Sequence, residues 1–170
     1  MIRFSAFEIK GYEKDLGTRT DIWWGYMTPH LQLITFKQVI FPHVGLIDMD
    51  GKRANMKTTC ARLNVPFFLM PERINLIAHE ALDLLLYDET DKRKPTSGFC
   101  AIMHYMENIN NAKIYIAGFD GYTSGHHYYA PGPTPRNVHR KHLPEREKDI
   151  IDQWIKEKKI FQLEAMPLPQ

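Results

Sequence analysis

Lys113-Ile114-Tyr115-Ile116-Ala117-Gly118 decides the fold class. The run is short, apolar and closed by glycine, which is the pattern of a buried strand. Upstream, Pro95-Thr96-Ser97-Gly98 leads into a helical stretch over about Phe99–Glu107. Downstream, residues 119–141 are crowded with Gly, Pro, Ser and His and read as one long loop. Long loops in compact domains are usually functional or disordered. A last helix starts near Pro144 and presents Ile150, Ile151, Trp154 and Ile155 on one side.

The same alternation continues towards the amino terminus. Residues 31–41 mix alternating and continuous apolar character and predict a strand, as does the shorter run Val44–Ile47. Lys52–Leu63 predicts a helix. Asn64–Met70 predicts a strand that is first-residue or edge because of Pro66. Ile74, Ile77, Ala78, Ala81, Leu82 and Leu85 recur at helical spacing behind Pro71, so residues 72–87 form a helix. Asp88–Lys94 is a charged loop, and Ile160–Leu163 is a candidate last strand. Strands alternating with helices imply an α/β domain with a mostly parallel sheet flanked by helices. One domain over residues 1–165 and a loose tail at 166–170 are expected. In such sheets ligands sit beyond strand carboxyl ends, which directs attention to the loop after Gly118.

Bulk properties narrow the class. The chain has 170 residues, 44% of them hydrophobic and 25% charged, as in an ordinary soluble domain. A net charge of +2 is too weak a bias to argue for nucleic acid or a membrane surface. Lys92-Arg93-Lys94 reads as a solvated loop. Two cysteines, Cys60 and Cys100, lean towards a reducing compartment. No apolar run has membrane-spanning length, and Met1-Ile2-Arg3-Phe4 is no signal peptide, so a cytoplasmic protein is expected.

Three segments can carry chemistry. Thr96 and Ser97 offer hydroxyls at a helix start, and Gly98 lets a ligand approach the backbone, where free N–H groups attract phosphate or carboxylate; an ordinary Ser/Thr cap explains the same residues. The loop from Phe119 and Asp120 to Tyr129 gathers titratable and aromatic side chains behind a strand end. His126 and His127 could bind metal, but no Cys or carboxylate partner has ligand spacing; packing of Tyr and His on the domain is the alternative. His142 stands five residues before Glu147 at a helix start, where a carboxylate one turn on can hold an imidazole suited to deprotonating a sugar hydroxyl. A surface pair is the commoner explanation of that spacing. Asp48-Met49-Asp50-Gly51 is a literal D-x-D of the metal-diphosphate kind, and a polar turn with Gly51 in the left-handed region fits it better. His79-Glu80 lacks the second histidine of a zinc-protease helix and reads as helix surface.

Taken in order, these segments resemble the sialyltransferase family of animal Golgi enzymes and their bacterial relatives. Ile2-Arg3-Phe4-Ser5 and Gly11–Asp21 resemble the later half of the family's large motif. Pro95-Thr96-Ser97-Gly98 through Ile114–Phe119 resembles the small motif, His127-Tyr128-Tyr129 the third motif, and His142 with Glu147 the very small motif. The sequence has Ser5 where the family has Asn, and Thr-Ser-Gly where Ser-Thr-Gly is usual; the family's opening strand and Gly-Asn-Gly-like turn have no counterpart ahead of Met1. The resemblance implies a Rossmann-like fold of the glycosyltransferase variant. It implies inverting, metal-independent transfer of sialic acid from CMP-sialic acid to a glycan hydroxyl, without a cofactor. His142 would be the base, and His127 would assist the departing phosphate. Thr96, Ser97, Gly98, Phe119, Asp120, Tyr128 and Ser5 would bind substrate, and Glu147 would support. A catalytically silent binding relative, or a transferase using another CMP-linked acidic sugar, are the alternatives. An exposed sheet edge would favour a homodimer.

Overall fold

Trp23 and Trp24 are adjacent, fully buried and packed into different cores. Successive side chains of a strand point to opposite faces, so this pair marks a sheet covered on both sides. The computed structural model describes residues 1–4, 7, 9–25, 36–42, 50–86, 90–91, 93–119 and 141–163. Its main sheet has four parallel strands in chain order, β1 (Ile2–Phe4), β2 (Ile22–Trp24), β3 (Gln38–Phe41) and β4 (Phe67–Leu69). Ile2 lies opposite Ile22, Trp23 opposite Val39, and Ile40 opposite Phe68. A second pair, β5 (Tyr115–Ile116) and β6 (Phe161–Gln162), is also parallel.

The helices are α1 (Glu13–Leu16), α2 (Asp50–Arg62), α3 (Glu72–Ala81), α4 (Ser97–Asn108) and α5 (Pro144–Lys156). On one face, Met56 and Cys60 of α2 pack with Trp23, Phe36, Val39 and Phe41. On the other, Trp24 and Ile40 meet Ile74 and Ala78 of α3, Phe99 to Ile102 of α4, and Ile151 of α5, together with Ile116 and Ile160. The Phe99 ring stacks on Trp154 at 5.3 Å, which ties α4 to α5. The fold is therefore mixed α/β, a parallel sheet between helices, as the alternating pattern predicts.

Helix ends have local causes. Pro144 opens α5, with Glu145 and Glu147 in the first turn and Lys156 in the last, in keeping with the helix dipole. Helix α3 stops at Ala81 rather than running on to residue 87. Asp83 is left-handed (φ 49°), its N–H bonds Glu80 O and that of Leu84 bonds His79 O, a Schellman ending that buries Leu84. Arg73 near the start of α3 pairs with Glu107 near the end of α4, so the two helices run antiparallel.

Other expectations need correcting. β1 and β2 are strands that three-residue runs do not announce. The strand predicted over 31–41 is seen at 38–41, residues 31–35 and the predicted strand Val44–Ile47 lying outside the described residues. Gly51 belongs to α2 and is not a left-handed turn residue. His79 is no surface residue: it is 6% exposed and donates from Nδ1 to the Asn75 carbonyl at 2.7 Å. The tail 166–170 lies outside the described residues. Among those residues no helix is long and apolar enough to cross a membrane.

Candidate active site

The start of α4 and the start of α5 meet. Thr96 caps α4, its hydroxyl oxygen accepting from the Phe99 N–H at 3.1 Å. The same hydroxyl donates to Glu147 Oε2 at 2.6 Å, and the Thr96 N–H donates to Glu147 Oε1 at 2.8 Å. Glu147 thus serves as a long-range capping carboxylate, 51 residues away in sequence. It is only 5% exposed. Burial pushes its carboxyl up to about 7, against the pull of the two bonds from Thr96.

His142 precedes α5 and is not held by Glu147. Its Nδ1 lies 2.8 Å from the carbonyl oxygen of Lys94. A carbonyl only accepts, so Nδ1 carries the proton and Nε2 carries the lone pair. Among the described residues nothing bonds Nε2. Burial, with smaller contributions from the charges of Lys94 and Lys141, holds the imidazole below the usual histidine range despite the bond to Lys94 O. The physical reason for the changed partnership is position. His142 lies outside the helix, while Glu147 is inside its first turn and faces α4, where two donors await it. The Lys94 N–H also donates to Lys141 O at 2.9 Å, so Lys94 is not simply part of a solvated loop.

Gly98 sits beneath the ring of Phe119, which follows β5. A Cβ at 98 would come within 2.6 Å of Phe119 Cε1. The space that glycine leaves is therefore filled by an aromatic ring, not open to a ligand. Phe119 in turn meets Phe4 of β1 edge-on, with ring centroids 5.9 Å apart. Thr96 is likewise committed: its hydroxyl proton goes to Glu147 and an oxygen lone pair to Phe99 N. Ser97 Oγ and the N–H groups of Ser97 and Gly98 have no acceptor among the described residues, Ser97 being half-buried and Gly98 buried. Such groups at a helix start can receive an anion.

The structure thus gathers Thr96, Ser97, Gly98, Phe119, His142 and Glu147. Ser5, Asp120, His126, His127, Tyr128, Tyr129 and Asp48 lie outside the described residues. Sequence reasoning quoted Pro95 at the head of the 95–98 segment but gave neither it nor Lys94 a role; their backbone joins the two halves of the site, and no signal in their side chains marks that. Among the described residues no group of three His, Cys, Asp or Glu could hold a metal ion. No protein-family model matches the chain, and no curated protein matches it.

Proposed function

We propose that this chain is a sialyltransferase-like glycosyltransferase in which His142 is the general base. The observation that carries the reading is the bond from His142 Nδ1 to the Lys94 carbonyl. It leaves Nε2 with a lone pair on a neutral ring, the form a base needs. Nε2 takes the proton of an acceptor hydroxyl as its oxygen attacks the anomeric carbon of a CMP-linked acidic sugar. CMP departs from the opposite side with the bonding pair, and configuration inverts. The N–H groups of Ser97 and Gly98 and the Ser97 hydroxyl offer donors for the phosphate. His127 would assist the departing phosphate, with Asp120, Tyr128 and Ser5 as further substrate contacts on the strength of the resemblance. A parallel sheet covered on both faces is compatible with the Rossmann-like glycosyltransferase variant. Direct bonding between the Thr96 and Glu147 segments supports treating the two motif-like stretches as one unit.

One observation favours a second reading. Thr96 and Glu147 consume each other's hydrogen-bonding capacity, so part of the motif set does structural work, as in a silent relative that keeps the fold. The test is transfer or hydrolysis of CMP-sialic acid by the wild-type protein and by His142→Ala, with CMP calorimetry on both. Turnover lost in the variant with CMP binding kept supports the base assignment. CMP binding without turnover in the wild type supports the silent relative, and unchanged turnover in His142→Ala removes the base assignment.

A further inference from the structure

We propose that Glu147 is the positioning residue for His142, acting through the backbone of Lys94, Pro95 and Thr96 rather than by contact. The inference rests on the reading of His142 as base.

The geometry forms a closed circuit. Glu147 grips the Thr96 N–H and hydroxyl at 2.8 and 2.6 Å. Two residues earlier, the Lys94 carbonyl receives His142 Nδ1 at 2.8 Å, and the Lys94 N–H reaches Lys141 O at 2.9 Å. Between the Lys94 carbonyl and the Thr96 N–H lie two planar peptide units and Pro95. The peptide planes do not flex, and the proline ring fixes φ, so the ψ of Pro95 is the single soft torsion left between the two anchors. Pro95 is fully buried, which restrains that torsion by packing. Holding the Thr96 N–H therefore aims the Lys94 carbonyl, and the carbonyl decides which ring nitrogen of His142 keeps the proton.

The other side of the circuit is equally short. Glu147 lies in the first turn of α5, and its own N–H bonds Leu143 O at 2.9 Å, one residue after His142. Pro144, also fully buried, stiffens that step. The two segments are stitched at 94–141, 94–142 and 96–147. Glu147 supplies the one stitch made by a side chain on each side, and so the one that a substitution can cut without touching the imidazole.

Histidine-selective nitrogen-15 NMR reads the ring tautomer directly and needs no substrate. In the wild type the expected form of His142 is Nδ1–H. In Glu147→Leu, which removes both acceptors from the Thr96 N–H and hydroxyl, the ring is expected to exchange into the Nε2–H form. Glu147→Gln, whose amide oxygen can still accept from the Thr96 N–H, is expected to keep Nδ1–H. In the transfer assay Glu147→Leu should lose roughly tenfold or more in kcat, with donor KM within about twofold, because a misaimed base slows chemistry without weakening binding. An unchanged tautomer in folded Glu147→Leu overturns the inference, whatever its turnover. A wild type that lacks turnover, with the tautomer still responding to Glu147→Leu, overturns the transferase reading and upholds the coupling.

Discussion

The Phe119 ring lies directly over Gly98, with Cε1 2.6 Å and Cζ 3.1 Å from where a Cβ would stand. That contact joins the first turn of α4 to the segment leaving β5, and Phe119 passes it on to Phe4 of β1. Gly98→Ala sets two effects against each other. Alanine favours the helix by up to about 1 kcal/mol. The clash requires Phe119 to shift within a packed corner, and overpacking costs about 1–3 kcal/mol. The clash should win, lowering the thermal midpoint by a few degrees and weakening CMP binding in calorimetry. A raised midpoint with unaltered CMP binding would show that Phe119 moves freely and is no wall of the site.

His142 is held below the ordinary histidine range, chiefly by burial, so the base is already neutral at mildly acid pH. Activity should rise with pH through a midpoint lower than the 6.5 of a free imidazole and then level off. Replacing His142 by Ala should cost about 10²- to 10⁴-fold in kcat and abolish that acid limb. A pH–rate profile of kcat/KM decides this; an acid limb that persists in the variant belongs to another group.

Glu147 makes stability depend on pH in the unusual direction for a carboxylate. Its folded value, about 7, lies above the ordinary 4.5, so the folded state holds this proton more tightly than the unfolded chain. The contribution is present in full below about 4.5 and is lost as pH rises through about 7. At 1.36 kcal/mol per unit, the loss is on the order of 3 kcal/mol. His79, His104 and His142 are depressed by burial and act oppositely, gaining stability as pH rises past the depressed midpoints. Comparing the wild type with Glu147→Gln isolates the carboxylate. Urea unfolding at pH 5 and pH 8 should show the wild type losing more stability, relative to the variant, at the higher pH. Equal differences at both values would remove the linkage.

What the sequence reveals here tracks the range of the interaction. Helix α5 is legible because Pro144 opens it and Ile150, Ile151, Trp154 and Ile155 repeat at 3.6 residues, all of them on or against the core. The cap at Thr96 is legible for the same local reason. β1 and β2 are not, since three residues hold no full period, and both are created by pairing with neighbours distant in sequence. At the site, His142 and the 96–98 turn could be picked out, but their partners could not. The spacing of His142 and Glu147 points to each other, whereas Glu147 finds Thr96 and His142 finds Lys94, at separations of 51 and 48 residues. A buried carboxylate goes to whichever donors the tertiary fold brings, and Thr96 offers two together.

Three helices end on a left-handed residue that is not glycine. Asn64 (φ 53°), Asp83 (φ 49°) and Lys158 (φ 58°) follow α2, α3 and α5. Each carries the double bond pattern of a Schellman ending, for α5 from the Lys158 N–H to Ile155 O and from the Lys159 N–H to Trp154 O, both at 2.9 Å. Asn and Asp visit this region with local support from their short polar side chains, but a lysine has no such support and bears the roughly 1–2 kcal/mol of Cβ crowding. Lys158 is exposed, so removing its side chain costs no packing. Lys158→Gly should therefore stabilise the protein by about 1 kcal/mol, after the greater entropy of glycine in the unfolded chain is subtracted. For a domain of this size that corresponds to a thermal midpoint about 2–4 °C higher. Lys158→Ala retains the Cβ and should bring no comparable gain. Scanning calorimetry on the two variants separates backbone strain from side-chain loss: an equal rise in both would trace the effect to the lysine charge, and no rise in the glycine variant would mean that the left-handed turn at 158 is not strained.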